Sequence, residues 1–110
     1  YSNEANEYLT ATGDSTSSTL SGGQGVDSIF VAGNVTGGNI VGNSGADSIS
    51  IAGTVNTAYV TGGADNDNMT LGAVVGGTVG GQFGADTLIV SGKLTGAQVL
   101  MASWKQVSWI

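Results

Sequence analysis

The sequence predicts an all-β protein, a parallel β-solenoid of about five coils with about 20 residues in each coil. Three observations support this fold class. An aspartate recurs at Asp27, Asp47, Asp67 and Asp86, at steps of 20, 20 and 19 residues. Each aspartate follows a glycine-rich stretch and precedes alternating apolar residues, many of them β-branched. The 110 residues include 20 glycines and no proline, which disfavours long helices and permits central strands.

The clearest copy of the repeat starts at Gly22, which is taken as position one, and reads Gly-Gly-Gln-Gly-Val-Asp-Ser-Ile-Phe over residues 22–30. Position one is always glycine, at Gly22, Gly42, Gly62 and Gly81. Positions eight, ten, fourteen and nineteen are always apolar, provided that the third copy lacks one residue after Leu71. Alternating positions of a strand face one side, so positions eight and ten point inward. Stacked copies then bury about four apolar side chains per coil.

We expect a single domain over residues 1–110. Residues 1–21 fit the repeat weakly, with Glu7 at position six, and are predicted to form a degenerate first coil. Residues 22–100 hold four repeats, each with two short strands, near positions seven to eleven and thirteen to nineteen. Residues 101–110 leave the repeat and contain both tryptophans. They are interpreted as a capping strand over the last rung, or alternatively as a junction to another domain or subunit.

The composition excludes several function classes. The net charge is −6, from eight acids and two lysines, so a nucleic-acid partner is not expected. No apolar run is long enough to span a membrane. Histidine and cysteine are absent, which removes the usual general bases, thiol nucleophiles and soft-metal ligands, so we do not expect an enzyme. Because the chain begins with Tyr1 rather than methionine, we expect it to be a piece of a longer protein.

The recurring aspartate has two interpretations. In a solenoid, position six of one coil lies about 4.8 Å from position six of the next, and stacked carboxylates repel one another. A hard cation between the coils would remove this repulsion, and Ca²⁺ accepts carboxylate and backbone carbonyl oxygens in flexible geometry. Alternatively, the carboxylates accept hydrogen bonds from loop amides without any metal.

Residues 22–30 resemble the nonapeptide of the RTX (repeats-in-toxin) family, a calcium-binding β-solenoid repeat. The later copies match in part: Asn43 and Gln82 replace the second glycine, and Asp65 replaces the glycine at position four. The resemblance implies that calcium is bound. The carboxylates implied as ligands are those of Asp27, Asp47, Asp67 and Asp86, with Asp65 as an extra one. The implied carbonyl ligands are those of Gly25, Gly45 and Gly84.

The chain departs from the RTX pattern in one respect. RTX rolls carry two nonapeptides per turn, whereas here the second half of each repeat, such as residues 32–40, has no aspartate. Only one edge is therefore predicted to bind metal. This layout resembles the calcium-dependent region of ice-binding bacterial adhesins, but the loops lack a regular Thr/Asn array, so ice binding is not expected. The repeats also resemble β-strand-repeat segments of large bacterial surface proteins and phage virion proteins.

We therefore expect a non-enzymatic structural module of a large extracellular assembly, such as a surface layer, adhesin or fibre, rigidified by calcium. The expected location is secreted, at the cell surface or in a virion. The expected partners are neighbouring domains or identical subunits of the same assembly. One alternative is a carbohydrate-binding module of the RTX type, which the scarcity of aromatic residues in the repeats disfavours. Another is a segment of a trimeric phage fibre.

Overall fold

The computed structural model describes residue 6, residues 8–96 and residues 98–108. This part of the chain forms a parallel β-solenoid of about four coils, each of about 20 residues, and contains no helix. The fold class is the predicted one. The coils number about four rather than the predicted five.

Each coil contributes one strand to each of three faces. The first face consists of β1 (Tyr8–Ala11), β4 (Ser28–Val31), β7 (Ser48–Ile51), β10 (Asn68–Leu71) and the end of β12 (Thr78–Val90). The second face consists of β2 (Ser15–Thr16), β5 (Val35–Thr36), β8 (Val55–Asn56), β11 (Val74–Val75) and β13 (Leu94–Thr95). The third face consists of β3 (Thr19–Ser21), β6 (Asn39–Asn43), β9 (Tyr59–Gly63), the start of β12 and β14 (Gln98–Ser108).

The second half of each coil is two strands, so the prediction of two strands per coil is wrong and the number is three. A corner at position sixteen separates the two strands. The backbone there is left-handed, with φ of 65° at Gly37, 54° at Thr57 and 67° at Gly76. A residue in this conformation cannot continue an extended strand, so the chain turns and starts a new one.

The pairing register confirms the alignment of the repeats. Apart from the pairing of the last strand, the pairs between neighbouring coils are parallel and join equivalent positions. Ile51 pairs with Leu71, and the next aligned position, Val55, pairs with Val74. Val55 follows Ile51 by four positions, whereas Val74 follows Leu71 by three. The predicted one-residue deletion after Leu71 is therefore confirmed.

The core is a column of apolar side chains that runs along the inside of the stack. From residue 22 onward, the described side chains at positions eight, ten, fourteen and nineteen are buried, as predicted; the side chains of Leu94 and Val99 lie outside the described part. The buried side chains are Ile29, Val31, Val35, Ile40, Ile49, Ile51, Val55, Val60, Met69, Leu71, Val74, Val79, Leu88 and Val90, and Ala58 joins them. In the first coil Leu9, Ala11 and Leu20 are only partly buried. The described apolar residues of the first coil thus form the partly exposed end of the column.

Strand β14 lies along β12 in parallel pairing and covers its open edge, which is the position expected of a C-terminal capping strand. The register shifts between Gly80 and Gln82, between Gln82 and Ala85, and again after Asp86. These shifts coincide with the loop of the last repeat, for which residues 98–108 offer no matching glycines. Trp109 and Ile110 lie outside the described residues.

Candidate functional site

The glycine–aspartate loop of each repeat joins the third face of one coil to the first face of the next. Glycine at position four supplies the left-handed conformation that the loop requires, with φ of 102° at Gly25, 107° at Gly45 and 101° at Gly84. Asp65 adopts the same conformation, with φ of 72°. The loops stack on one another, so equivalent positions of successive loops are neighbours in space.

The four aspartates at position six lie inside this stack of loops. Their exposed fractions are 0% for Asp27, 1% for Asp47, 2% for Asp67 and 0% for Asp86. The structure brings these four predicted residues together in one buried row, which we call the aspartate row. Asp65 is exposed and lies outside the row.

In three carboxylates of the row, those of Asp47, Asp67 and Asp86, one oxygen accepts a hydrogen bond from the loop before it. The Asp27 amide donates to Asp47 Oδ1 at 2.8 Å, and the Asp47 amide donates to Asp67 Oδ1 at 2.8 Å. The Asp67 amide donates to Asp86 Oδ1 at 2.9 Å. These are hydrogen bonds to loop amides, as in the metal-free interpretation of the sequence. They also lock neighbouring loops in register.

The other oxygen of these carboxylates has a different environment. The Oδ2 atoms of Asp47, Asp67 and Asp86 are buried and accept no hydrogen bond. A buried ionised oxygen without a partner costs several kilocalories per mole or shifts its pKa. A proton or a cation at these atoms would therefore stabilise the folded loop.

Glycine at position one makes room for this oxygen. A Cβ atom built on Gly42 would collide with Asp47 Oδ2, and one built on Gly62 would collide with Asp67 Oδ2. The Cβ position at Gly42 also lies 2.8 Å from Gly62 O. A carboxylate oxygen of this loop and a carbonyl oxygen of the next loop thus both lie beside the Cα atom of Gly42. This carbonyl was not among the predicted ligands, although the recurrence of glycine at position one was the signal for it.

Two carbonyls at position four are oriented along the stack, that of Gly25, which was predicted as a ligand, and that of Asp65, which was not. A Cβ atom on Gly45 would collide with Gly25 O, and one on Gly84 would collide with Asp65 O. The carbonyls of Gly25 and Asp65 therefore point from one loop toward the next. Oxygens that lie between loops are suitably placed for an ion held between coils.

The electrostatics of the row follow from its burial. Burial raises the pKa of Asp47 to about 6; the hydrogen bond from Asp27 opposes this shift, and the charges of Asp27 and Asp65 add to it. Burial raises the pKa of Asp67 to about 7, against the hydrogen bond from Asp47, and the charges of Asp47, Asp86 and Asp65 raise it further. Burial also raises the pKa of Asp86. The row thus resists carrying its full negative charge unless a positive charge accompanies it.

The donor set matches a hard cation that accepts backbone oxygens. Within the part of the chain that the structure describes, no three histidine, cysteine, aspartate or glutamate side chains gather closely enough to hold a metal ion. A calcium site here would therefore combine one or two carboxylates with loop carbonyls, which Ca²⁺ accepts. The unpartnered Oδ2 atoms and the Gly62 carbonyl near Asp47 Oδ2 fit this requirement.

A second row of side chain–amide bonds, which the sequence analysis missed, lies at position thirteen. Asp14 Oδ1 accepts from the Asn34 amide at 2.8 Å, and Asn34 Oδ1 accepts from the Thr54 amide at 2.7 Å. The signal was the short polar residue at this position in successive copies. Asp14 and Asn34 are exposed, so this corner stabilises the turn without burying a charge.

Comparison of the chain with known protein families, curated proteins and solved structures finds no match. Among the described residues there is no helix of sufficient length and apolar character to cross a membrane.

Proposed function

We propose that the chain is a non-enzymatic structural module of a large extracellular assembly, such as a surface layer, adhesin or fibre, and that calcium rigidifies it. The observation that carries this proposal is the aspartate row. Position six of the repeat is an aspartate in all four copies, and its carboxylate is buried. The carboxylates of Asp47, Asp67 and Asp86 each connect one coil to the coil before it, as a cross-link would.

The row needs a positive charge to be stable when it is ionised. Adjacent carboxylates at the spacing of a parallel sheet repel one another, and burial adds a desolvation penalty. Hydrogen bonds to amides satisfy only the Oδ1 atoms of Asp47, Asp67 and Asp86. The Oδ2 atoms of the same residues accept none. A divalent cation between loops would neutralise the pair of carboxylates nearest to it.

The residues that would hold the ion are the position-six carboxylates, assisted by loop carbonyls such as those of Gly25 and Gly62. The predicted set of ligands also includes Asp65 and the carbonyls of Gly45 and Gly84. Calcium supplies positive charge and a link between adjacent coils; the protein positions the oxygens and excludes water from the row. Because the ion binds the folded loops, its binding free energy adds to the stability of the fold.

The outer surface supports a structural and extracellular role. The outward positions of the first face are mostly serine, threonine and asparagine, such as Ser48, Ser50, Asn68 and Thr70. The whole chain has only two lysines and no cysteine. Such a surface remains soluble in an oxidising, calcium-rich exterior, and neighbouring domains or identical subunits are the proposed partners.

Thermal unfolding followed by circular dichroism tests the proposal. The wild-type protein is unfolded at pH 8 with EGTA, with millimolar CaCl₂ and with millimolar MgCl₂. We expect calcium to raise Tm, since an ion at a hundredfold excess over its Kd stabilises the fold by about 2.7 kcal/mol. Magnesium should do less, because it prefers rigid octahedral geometry.

Two variants make the test specific. Asp47→Asn removes a carboxylate from the row and should abolish most of the calcium effect. Asp14→Asn removes an exposed carboxylate at the other corner and should leave the calcium effect intact. Equal Tm values of the wild type in EGTA and in CaCl₂ would refute calcium binding and leave the amide-bonded turn as the role of the row.

A further inference from the structure

One loop differs from the others by an additional acid. Asp65 stands at position four, where Gly25, Gly45 and Gly84 stand in the other copies. Its φ is 72°, in the left-handed region, which aspartate tolerates better than most residues with a Cβ atom. An acidic side chain thus takes the place of glycine in this loop alone among the four.

The carboxylate of Asp65 reaches back toward the preceding loop. Its Oδ2 atom accepts a hydrogen bond from the Gly45 amide at 3.0 Å. The side chain therefore lies at the junction between loop 42–47 and loop 62–67, on the solvent side. After burial and the neighbouring position-six charges, Asp65 is also a cause of the raised pKa of Asp47 and Asp67.

The two loops that meet at this junction each hold a buried oxygen that lacks a hydrogen bond. Asp47 is 1% exposed and Asp67 is 2% exposed, and the Oδ2 atom of each has no hydrogen-bond partner. Asp47 Oδ2 and Gly62 O both lie beside the Cα atom of Gly42, so a carboxylate oxygen and a loop carbonyl oxygen are neighbours at this junction. Buried acceptors, a loop carbonyl and an extra exposed charge therefore coincide between these two loops.

We propose that the junction between loops 42–47 and 62–67 is the tightest calcium site of the module and that Asp65 makes it so by adding a third carboxylate charge. This inference rests on the calcium binding proposed above. At the junction of loops 22–27 and 42–47, position four is Gly25 in one loop and Gly45 in the other, so no such charge is present. Asp65 faces loop 42–47 rather than loop 81–86.

The size of the effect follows from Coulomb's law. A single charge about 6–8 Å from a divalent ion, in the high dielectric of an exposed position, changes the affinity on the order of fivefold to tenfold. The number of charged ligands likewise tunes calcium affinity in other oxygen-ligand sites. The contribution is electrostatic, so it should decrease as the salt concentration rises.

Isothermal titration of calcium-depleted protein with CaCl₂ at low salt tests this inference. Asp65→Asn removes the charge but keeps an acceptor oxygen for the Gly45 amide and a side chain that tolerates the left-handed conformation. The control is Asp14→Asn, which removes one exposed negative charge at the other corner. Asn34 makes the equivalent hydrogen bond in the next coil, so asparagine is known to fit that position.

We expect the Kd of the tightest class of sites to rise about fivefold to tenfold in Asp65→Asn and less than about twofold in Asp14→Asn. Calcium binding that is equally tight in the wild type and in Asp65→Asn would overturn this inference and leave the proposed calcium function standing. Equal weakening in both variants would overturn it too, because the effect would then come from net charge alone. Absence of calcium binding to the wild type would overturn both proposals.

Discussion

The burial of the aspartate row predicts that the calcium-free protein becomes less stable as the pH rises from 5 to 8. The pKa of Asp47 is about 6 and that of Asp67 about 7 in the folded protein, against an ordinary value of 3.8. The folded state therefore keeps protons that the unfolded chain has already released. The stabilisation from these protons is fully present below about pH 4 and is lost as the pH rises through 6 and 7.

The slope can be worked out from the number of protons. Each carboxyl that is protonated in the folded state and ionised in the unfolded state lowers the free energy of unfolding by up to about 1.4 kcal/mol per pH unit. The free energy of unfolding should fall most steeply between about pH 4 and pH 6, where both Asp47 and Asp67 contribute. Between about pH 6 and pH 7 it should continue to fall because of Asp67 alone. Urea unfolding at a series of pH values, on protein freed of calcium, measures this slope.

The variant Asp67→Asn makes the experiment more specific, because calcium should reverse which of the two proteins, variant or wild type, is the more stable. Asparagine keeps an oxygen for the Asp47 amide and removes the buried charge. Without calcium at pH 8, the variant should be more stable than the wild type. With calcium the wild type should be the more stable protein, since only the carboxylate gains from the ion. The variant should also lose the part of the pH slope that belongs to Asp67.

Two results would refute this reasoning. A stability of the calcium-free wild type that is constant or increases between pH 5 and pH 8 would show that the carboxyls are not buried as described. An Asp67→Asn variant that is less stable than the wild type at pH 8 both with and without calcium would show that the ionised carboxylate is already neutralised by something other than the ion.

Two further predictions concern the fold. Ile51→Ala, at an inward position that is 2% exposed, should cost about 2–5 kcal/mol in urea unfolding, whereas outward Ser50→Ala should cost less than about 0.5 kcal/mol; the reverse order would mean that the assigned faces are exchanged. Thr57→Gly should stabilise the protein by a few tenths to about 1 kcal/mol, because Thr57 has φ of 54° at the corner where Gly37 and Gly76 stand. Thr57→Ala is the control and should show no gain, since alanine has the same difficulty in the left-handed region.

Much of the fold was predictable because it depends on the alternation of apolar and polar residues along each strand and on the repeat of about 20 residues. The spacing of the aspartates set the coil length, and the apolar residues two apart set the inward face. Leu71, Val74 and the one-residue deletion between them could be placed by aligning copies, and the pairing of β7 with β10 and of β8 with β11 confirms it. A parallel stack adds one constraint, that equivalent positions pair, and the repeat already specified which positions are equivalent.

The environment of the aspartates was not predictable from the sequence. The pattern placed Asp47 and Asp67 in one row but gave no reason to expect carboxylates that are 1% and 2% exposed. Whether an oxygen reaches an amide 20 residues away, or packs over Gly62 without a partner, depends on distances between coils. Those distances exist only once the coils have stacked.

The sequence by itself thus determined the coil length, the register, the four core positions and the order of the aspartates, since each depends on periodicity along the chain. The tertiary structure decided that a left-handed corner at position sixteen divides each coil into three strands. It also decided that the carboxylates turn inward, because glycine at position one leaves space there and the loop before offers an amide. Contacts between residues about 20 apart settle both features, and a local pattern does not encode them.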